Sequence, residues 1–219
     1  FYLEKDHHVF GISRNRNEEL ESYVNYNFLM QDLFNFDEVR QNVFNFLKGE
    51  EKLDLVIFNA GIMNGIKDMN DTPVEEIKKV MDINVWANKV LIDVIFESVN
   101  SVDQVVAISS GASVSGSRGW NAYSLSKATL NMMIDLYSNE ISDCHFSALA
   151  PGLIETGMQD YIRNLPAEME KKFPVVEKLK AAYGTSKMPG PGKAAGIIAE
   201  GIAKARNYES GQFLDVRKM

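Results

Sequence analysis

The chain's 219 residues suffice for one α/β domain with a substantial core and fall short of two comfortable ones. A hydrophobic fraction of 45% and a charged fraction of 24% are ordinary for a globular chain, and a net charge of −7 speaks against nucleic acid, which needs a basic face. No apolar run approaches the ~20 residues that span a bilayer, and a lone cysteine, Cys144, excludes an internal disulfide and suits a reducing, cytoplasmic setting.

In chain order, short apolar runs alternate with helical patterns, and no repeat interrupts them. The chain opens with Phe1 rather than methionine and reads as one whose beginning is absent. His7–Ser13 and Tyr26–Gln31 are β-prone. Asn35–Lys48 carries a helix signature: Asn35 as N-cap, Glu38 three residues on, apolar Val39, Val43, Phe46 and Leu47, and Gly49 at the exit. Leu53–Phe58 is nearly continuously apolar, as a strand buried on both faces should be. Thr72-Pro73-Val74-Glu75 starts a helix that runs to about Val99. Val105–Ile108 is a strand, Asn121–Glu140 a long helix and His145–Ala150 a strand closed by Pro151-Gly152. Helical pieces broken by Pro166 and Pro174 follow, then a helix at Pro191–Arg206 and a strand at Gln212–Val216.

Alternating β and α elements with apolar strands predict a single α/β domain over residues 1–219: a doubly wound, Rossmann-like parallel sheet with helices on both faces. Ligands of such sheets bind beyond the carboxyl ends of the strands. Ser13-Arg14, Asp32, Asn59-Ala60-Gly61, Ser109-Ser110 and Pro151-Gly152 each follow a strand.

Tyr123 and Lys127 lie four apart in a predicted helix and so share one face. A free tyrosine, with a pKa of about 10, is a poor acid–base group near neutrality. A neighbouring ammonium favours the phenolate, so the pair can act as general acid toward a ketone or general base toward an alcohol. Ser110 ends the preceding strand, placed to hydrogen-bond the same oxygen. A bare Tyr-x-x-x-Lys pair is more often a solvated helix face; the surrounding residues reverse that judgement.

Ile108-Ser109-Ser110-Gly111 and Tyr123-Ser124-Leu125-Ser126-Lys127-Ala128 resemble the catalytic segment of the short-chain dehydrogenase/reductase family, with a serine-to-tyrosine spacing of thirteen. Asn59-Ala60-Gly61, Asp82-Ile83-Asn84-Val85 and Pro151-Gly152-Leu153-Ile154-Glu155-Thr156 resemble three further motifs of that family, in the same order. The resemblance implies an oxidoreductase in which Tyr123 exchanges the proton. Lys127 would hold the nicotinamide ribose and lower the tyrosine pKa, Ser110 would orient the carbonyl, and Asn84 would hold a water linking Lys127 to bulk donors. Asn84 has a second reading, as a polar residue stabilising a helix bend. Ser109 reads as a strand-end residue.

The cofactor follows from the same positions. Family members that prefer NAD carry an acidic residue where this chain has Ser13-Arg14, and an arginine there would pair with the 2′-phosphate of NADP(H). Asp32 and Leu33 would contact the adenine ring, and Asn59, Ala60 and Gly61 the adenine ribose. Pro151 and Gly152 close the site, with Ile154 and Thr156 near the nicotinamide carboxamide. Hydride chemistry with such a cofactor calls for no metal.

The resemblance also implies what precedes these elements. The family begins with a strand and a glycine-rich turn that cradles pyrophosphate, and neither is present. The chain is therefore expected to lack the first strand, between His7–Ser13 and Leu53–Phe58, and as a fragment to be an impaired enzyme. Residues 155–188 would form a substrate lid. Ser109–Ala112, Gly119–Tyr123, Thr156–Gln159 with Ile162-Arg163, and Ser210–Phe213 are similar to the sepiapterin reductase and benzil reductase branch. A small ketone, diketone or secondary alcohol is the implied substrate. Trp120 and Met158 are pocket candidates that suit loop-anchoring core equally well. Two other readings stay open: a 3-oxoacyl or sugar ketone as substrate, and a cofactor-sensing or scaffold relative without turnover. The two long helices resemble those that pair across the family's dimer axis. A homodimer or homotetramer is therefore expected, with Ala87, Val90, Leu91, Val94, Leu130 and Ile134 supplying apolar area.

Overall fold

The computed structural model describes residues 1–219. Parallel strands β1 (Val9–Ser13) and β2 (Tyr26–Met30) pair with each other, and β3 (Lys52–Leu53) pairs with β5 (Ser101–Val102). The main sheet runs β4 (Val56–Phe58), β6 (Gln104–Ile108), β7 (His145–Ala150) and β8 (Phe213–Asp215), all parallel. Helices α1 (Phe36–Phe46), α2 (Val74–Met81), α3 (Ala87–Ser98), α4 (Asn121–Glu140), α5 (Gly157–Arg163), α6 (Ala167–Lys172), α7 (Pro174–Ala182) and α8 (Pro191–Ala205) complete the order. No helix is long and apolar enough to cross a membrane.

Strand alternation sorts side chains to two faces. Val105, Ala107, Phe146 and Ala148 join residues of α1, α3 and α4 in the main core, while Val106, Leu149 and Leu214 pack with Ile202 and Ala205 of α8 on the other face. The expected doubly wound arrangement is thus present, with the ladder open between β1 and β4, which no pairing joins. Phe10, Ile12 and Val56 from those two strands pack against the same main core. Their strands stay half-exposed where β6 is buried.

Three sequence expectations are corrected. The run Leu53–Phe58 is not one strand: the ladder breaks where Asp54 and Asp103 stand, and Lys52 Nζ bridges both carboxylates at 3.1 and 2.8 Å. The helix expected over Thr72–Val99 is interrupted by a π turn at Asp82–Trp86. Thr72 does not cap it, because its hydroxyl donates to the Asp68 carbonyl at 3.0 Å and Pro73 occupies the cap position. Finally, Leu91, Val94, Leu130 and Ile134 lie in the chain's own core and Ala87 is fully buried, so they offer no face to a partner. The exposed apolar side chains of this region are Trp86, Leu125, Met132 and Leu136.

Candidate active site

The carboxyl ends of the parallel strands β4, β6 and β7 lie on one edge of the sheet, and α4 packs on β6 and β7 in the main core. The Lys127 ammonium, 4% exposed, donates to the Ile108 carbonyl at 2.6 Å and lies 5.9 Å from the Tyr123 ring centre. Burial lowers its pKa to about 8. Tyr123 is buried too, and burial raises its phenol pKa while hydrogen bonding with Ser110 opposes the rise. Desolvation of the phenol outweighs the hydrogen bond to Ser110 in this structure, with the Lys127 ammonium 5.9 Å from the ring centre.

Ser110 begins a single 3₁₀ turn, Gly111–Ser113, by accepting the Ala112 N–H at 3.1 Å. Asn84 sits fully buried in the π turn. Its Oδ1 accepts the Ile62 N–H at 2.8 Å, and its amide donates to the Ile62 carbonyl at 2.8 Å and to Ser126 Oγ at 2.9 Å. Its backbone carbonyl accepts from Asn88 Nδ2 at 2.8 Å. Asn84 is thus a tether between α4 and the turn after β4, engaged on both backbone and side chain. Gly61 belongs to the same junction: a Cβ there would stand 3.3 Å from Asn84 Oδ1 and 3.5 Å from Lys127 Nζ.

The residues assigned to the cofactor line the same edge. Asn59, Ala60 and Gly61 are exposed, as are Ser13 and Arg14 at the end of β1. Ser13 Oγ donates to the Asn15 carbonyl at 2.5 Å. Asp32 is exposed and accepts the Phe34 N–H at 3.1 Å, whereas Leu33 is partly buried against the main core. Pro151, Gly152 and Ile154 are half-buried beyond β7, Gly152 with φ +81°, and Thr156 is exposed at the N-terminus of α5. Trp120 and Met158 come together, but as packing. Trp120 is buried with its ring centre 5.4 Å from that of Tyr123, and Met158 packs on the same apolar cluster.

That cluster, Ile66, Trp120, Tyr123, Ile162, Phe173, Val176 and Leu179, seats α5–α7 directly on the tyrosine. Asp68 reinforces the seat from outside. It accepts from Arg118 Nε and Nη2 at 2.6 and 2.8 Å and pairs with Lys172 Nζ at 3.0 Å. Those bonds, Arg118 first, hold its carboxyl well below the usual carboxylate range.

With a parallel sheet, a Ser–Tyr–Lys set at its carboxyl edge and an asparagine tether beneath it, comparison with known proteins becomes decisive. The short chain dehydrogenase family model matches residues 2–166. The chain belongs to the short-chain dehydrogenase family. An uncharacterized oxidoreductase of Saccharomyces cerevisiae is 30% identical over 79% of this chain and 72% of its own. A benzil reductase ((S)-benzoin forming) of Bacillus subtilis is 28% identical over 97% of this chain and 91% of its own. The crystal structure of a short-chain dehydrogenase/reductase from S. cerevisiae superposes with a TM-score of 0.81 at 25% identity, covering 99% of this chain and 88% of that one.

Three features of this short-chain dehydrogenase escape sequence reasoning. Asp68, Arg118 and Lys172 are scattered through the chain and meet only in the fold. Arg217, paired with Asp215 Oδ1 at 2.8 Å, lies across the turns after β6 and β7: a Cβ at Gly152 would meet its Cδ at 3.3 Å. Asn131 shares a helix face with Tyr123 and Lys127, a spacing that could have flagged it.

Proposed function

We propose that the protein is an NADP(H)-dependent oxidoreductase that reduces a small ketone or vicinal diketone, or oxidises the matching alcohol. The observation that carries this reading is the meeting of Ser110, Tyr123 and Lys127 at the carboxyl edge of the sheet. The benzil reductase likeness supports a diketone substrate, and the exposed Arg14 at the end of β1 supports a 2′-phosphate.

The residues present fit the cofactor at both ends. Exposed Ser13, Arg14, Asp32, Asn59, Ala60 and Gly61 offer contacts for the adenosine half, and Lys127, beside Tyr123, would hold the nicotinamide ribose. NADP(H), when bound, supplies or accepts the hydride. Toward a ketone, Tyr123 donates its phenol proton to the substrate oxygen while the Ser110 hydroxyl orients that oxygen. Lys127, held by the Ile108 carbonyl, stabilises the phenolate left on Tyr123. Asn84 keeps the turn at Asn59–Ile62 against α4, so that Lys127 and Tyr123 keep their places; a water held there would return the proton. Residues 155–188 act as the lid that excludes solvent during transfer. The exposed Leu125, Met132 and Leu136 stripe with Trp86 supports self-association, and a monomeric mass in solution would exclude it.

The test is NADPH oxidation by the chain against a panel of vicinal diketones, 3-oxoacyl esters and sugar ketones, repeated with NADH and with Tyr123→Phe. The expected result is diketone-dependent turnover, weak in a chain without the first strand and glycine-rich turn, that prefers NADPH and disappears in Tyr123→Phe. Cofactor binding with no turnover on any substrate would favour a sensor.

A further inference from the structure

Ser110 stands between two serines that are both tied to one side chain on α4. Ser109 Oγ, on its amino side, donates to Asn131 Oδ1 at 2.5 Å. Asn131 Nδ2 in turn donates to Ser113 Oγ at 2.9 Å, and Ser113 Oγ donates to the Ser110 carbonyl at 2.6 Å. One carboxamide therefore uses its acceptor on the residue before Ser110 and its donor on the turn after it. Asn131 is also the third member of the helix face that carries Tyr123 and Lys127, four residues beyond the lysine. The loop that holds Ser110 is thereby fastened to the same rigid helix that holds the tyrosine.

Resting on the active-site reading above, we propose that Asn131 is a positioning residue that sets where Ser110 stands relative to Tyr123. A displaced Ser110 orients the substrate oxygen poorly, and a misplacement of about 1 Å can cost on the order of 10²-fold in rate. It also releases the phenol from the hydrogen bond that opposes its raised pKa. Loss of Asn131 should therefore lower kcat more than it raises KM. In alcohol oxidation, where Tyr123 must be deprotonated, it should move the rising limb of the pH profile to higher pH.

The experiment compares the full chain with Asn131→Ala, Ser110→Ala and the double variant, in ketone reduction and in alcohol oxidation with NADP(H) across pH. The expected result is a kcat loss of ~10- to 10²-fold in Asn131→Ala with the alkaline shift of the profile, and no further loss when Asn131→Ala is added to Ser110→Ala. Full additivity in the double variant would show a merely structural role and overturn the proposal. An impaired Ser110→Ala beside an unimpaired Asn131→Ala overturns the proposal alone. A fully active Ser110→Ala, or an unsubstituted chain that binds NADPH and turns nothing over, overturns the active-site reading and this proposal with it. Should Asn131→Ala not fold, Ser113→Ala deletes one arm of the tether and Asn131→Asp keeps the acceptor while losing the donor. Both should show the same profile shift and the same non-additivity with Ser110→Ala, and additive losses would overturn the proposal equally.

Discussion

The Lys127 ammonium is buried against the Ile108 carbonyl at 2.6 Å, with its pKa lowered from 10.5 to about 8. The unfolded chain therefore binds the proton more readily than the folded one between those two values, and stability contributed by this site rises with pH across that window. The penalty is full below about 8 and absent above 10.5. It amounts to about 3 kcal/mol. Lys127→Met removes it and leaves the Ile108 carbonyl without its donor, a loss of about 1 kcal/mol. The variant should be more stable than the parent near neutrality and less stable at the alkaline end, while turnover disappears. Denaturant titrations at the two ends of the window measure this; a pH-independent difference would sink the assignment of a low lysine pKa.

Phe146 is fully buried at the centre of the sheet, 6.0 Å from Phe96 and 6.1 Å from Tyr137 in near-parallel stacks. Phe146→Ala should cost about 3–5 kcal/mol, since the strand cannot collapse into the space. Equilibrium unfolding checks the figure.

Gly119 has φ +98°, and a Cβ there would fall 2.9 Å from Ile66 Cγ2 and 3.0 Å from Phe173 Cδ1. Gly119→Ala should lower stability by about 1–3 kcal/mol and loosen the seat of α6 and α7 beside Trp120. Thermal melts combined with hydrogen exchange of residues 155–183 would read both effects. Unchanged exchange there would disconnect Gly119 from the lid.

Asp68 is shared by Arg118 and Lys172 at the solvent edge of the same seat. Exposed pairs add little global stability and are screened by salt. Asp68→Asn should leave the unfolding midpoint nearly unchanged while trypsin cuts the 155–188 segment several-fold faster. High salt should produce the same acceleration in the parent and little in the variant.

Arg14 is exposed at the end of β1. Arg14→Ala should weaken NADPH binding by about 10-fold or more, the worth of a charge-assisted contact, and leave NADH binding near its original value. Fluorescence titration of both cofactors separates the outcomes, and equal weakening would remove the phosphate assignment.

Much of the fold is legible in the sequence because its strands are short apolar runs bounded by turn residues. Asn35, for instance, caps α1 by accepting the Glu38 N–H, as its pattern predicts. The kink at Asp54 and Asp103 is less legible, because it depends on two aspartates from neighbouring strands sharing Lys52. The π turn at Asp82–Trp86 is likewise hidden, since its residues keep a helical pattern while Asn84 is drawn toward Ile62, twenty-two positions away. At the site, Ser110, Tyr123 and Lys127 are singled out by the family resemblance of the segments around them, because the bare Tyr-x-x-x-Lys spacing is common on solvated helix faces. Trp120 and Met158 stay between two readings in the sequence, because aromatic and apolar character suits a pocket wall as well as the packing around Tyr123 that the fold shows.

The apolar roof over Tyr123 has a consequence in time. Under the proposed reading, Ile162, Phe173, Val176 and Leu179 would leave their contacts in this cluster whenever substrate enters or product departs. Three short helices moving through solvent meet friction that a proton transfer does not. The pace of the catalytic cycle should then follow the viscosity of the medium, slowing in sucrose or glycerol while an isotope on the transferred hydrogen leaves it almost untouched.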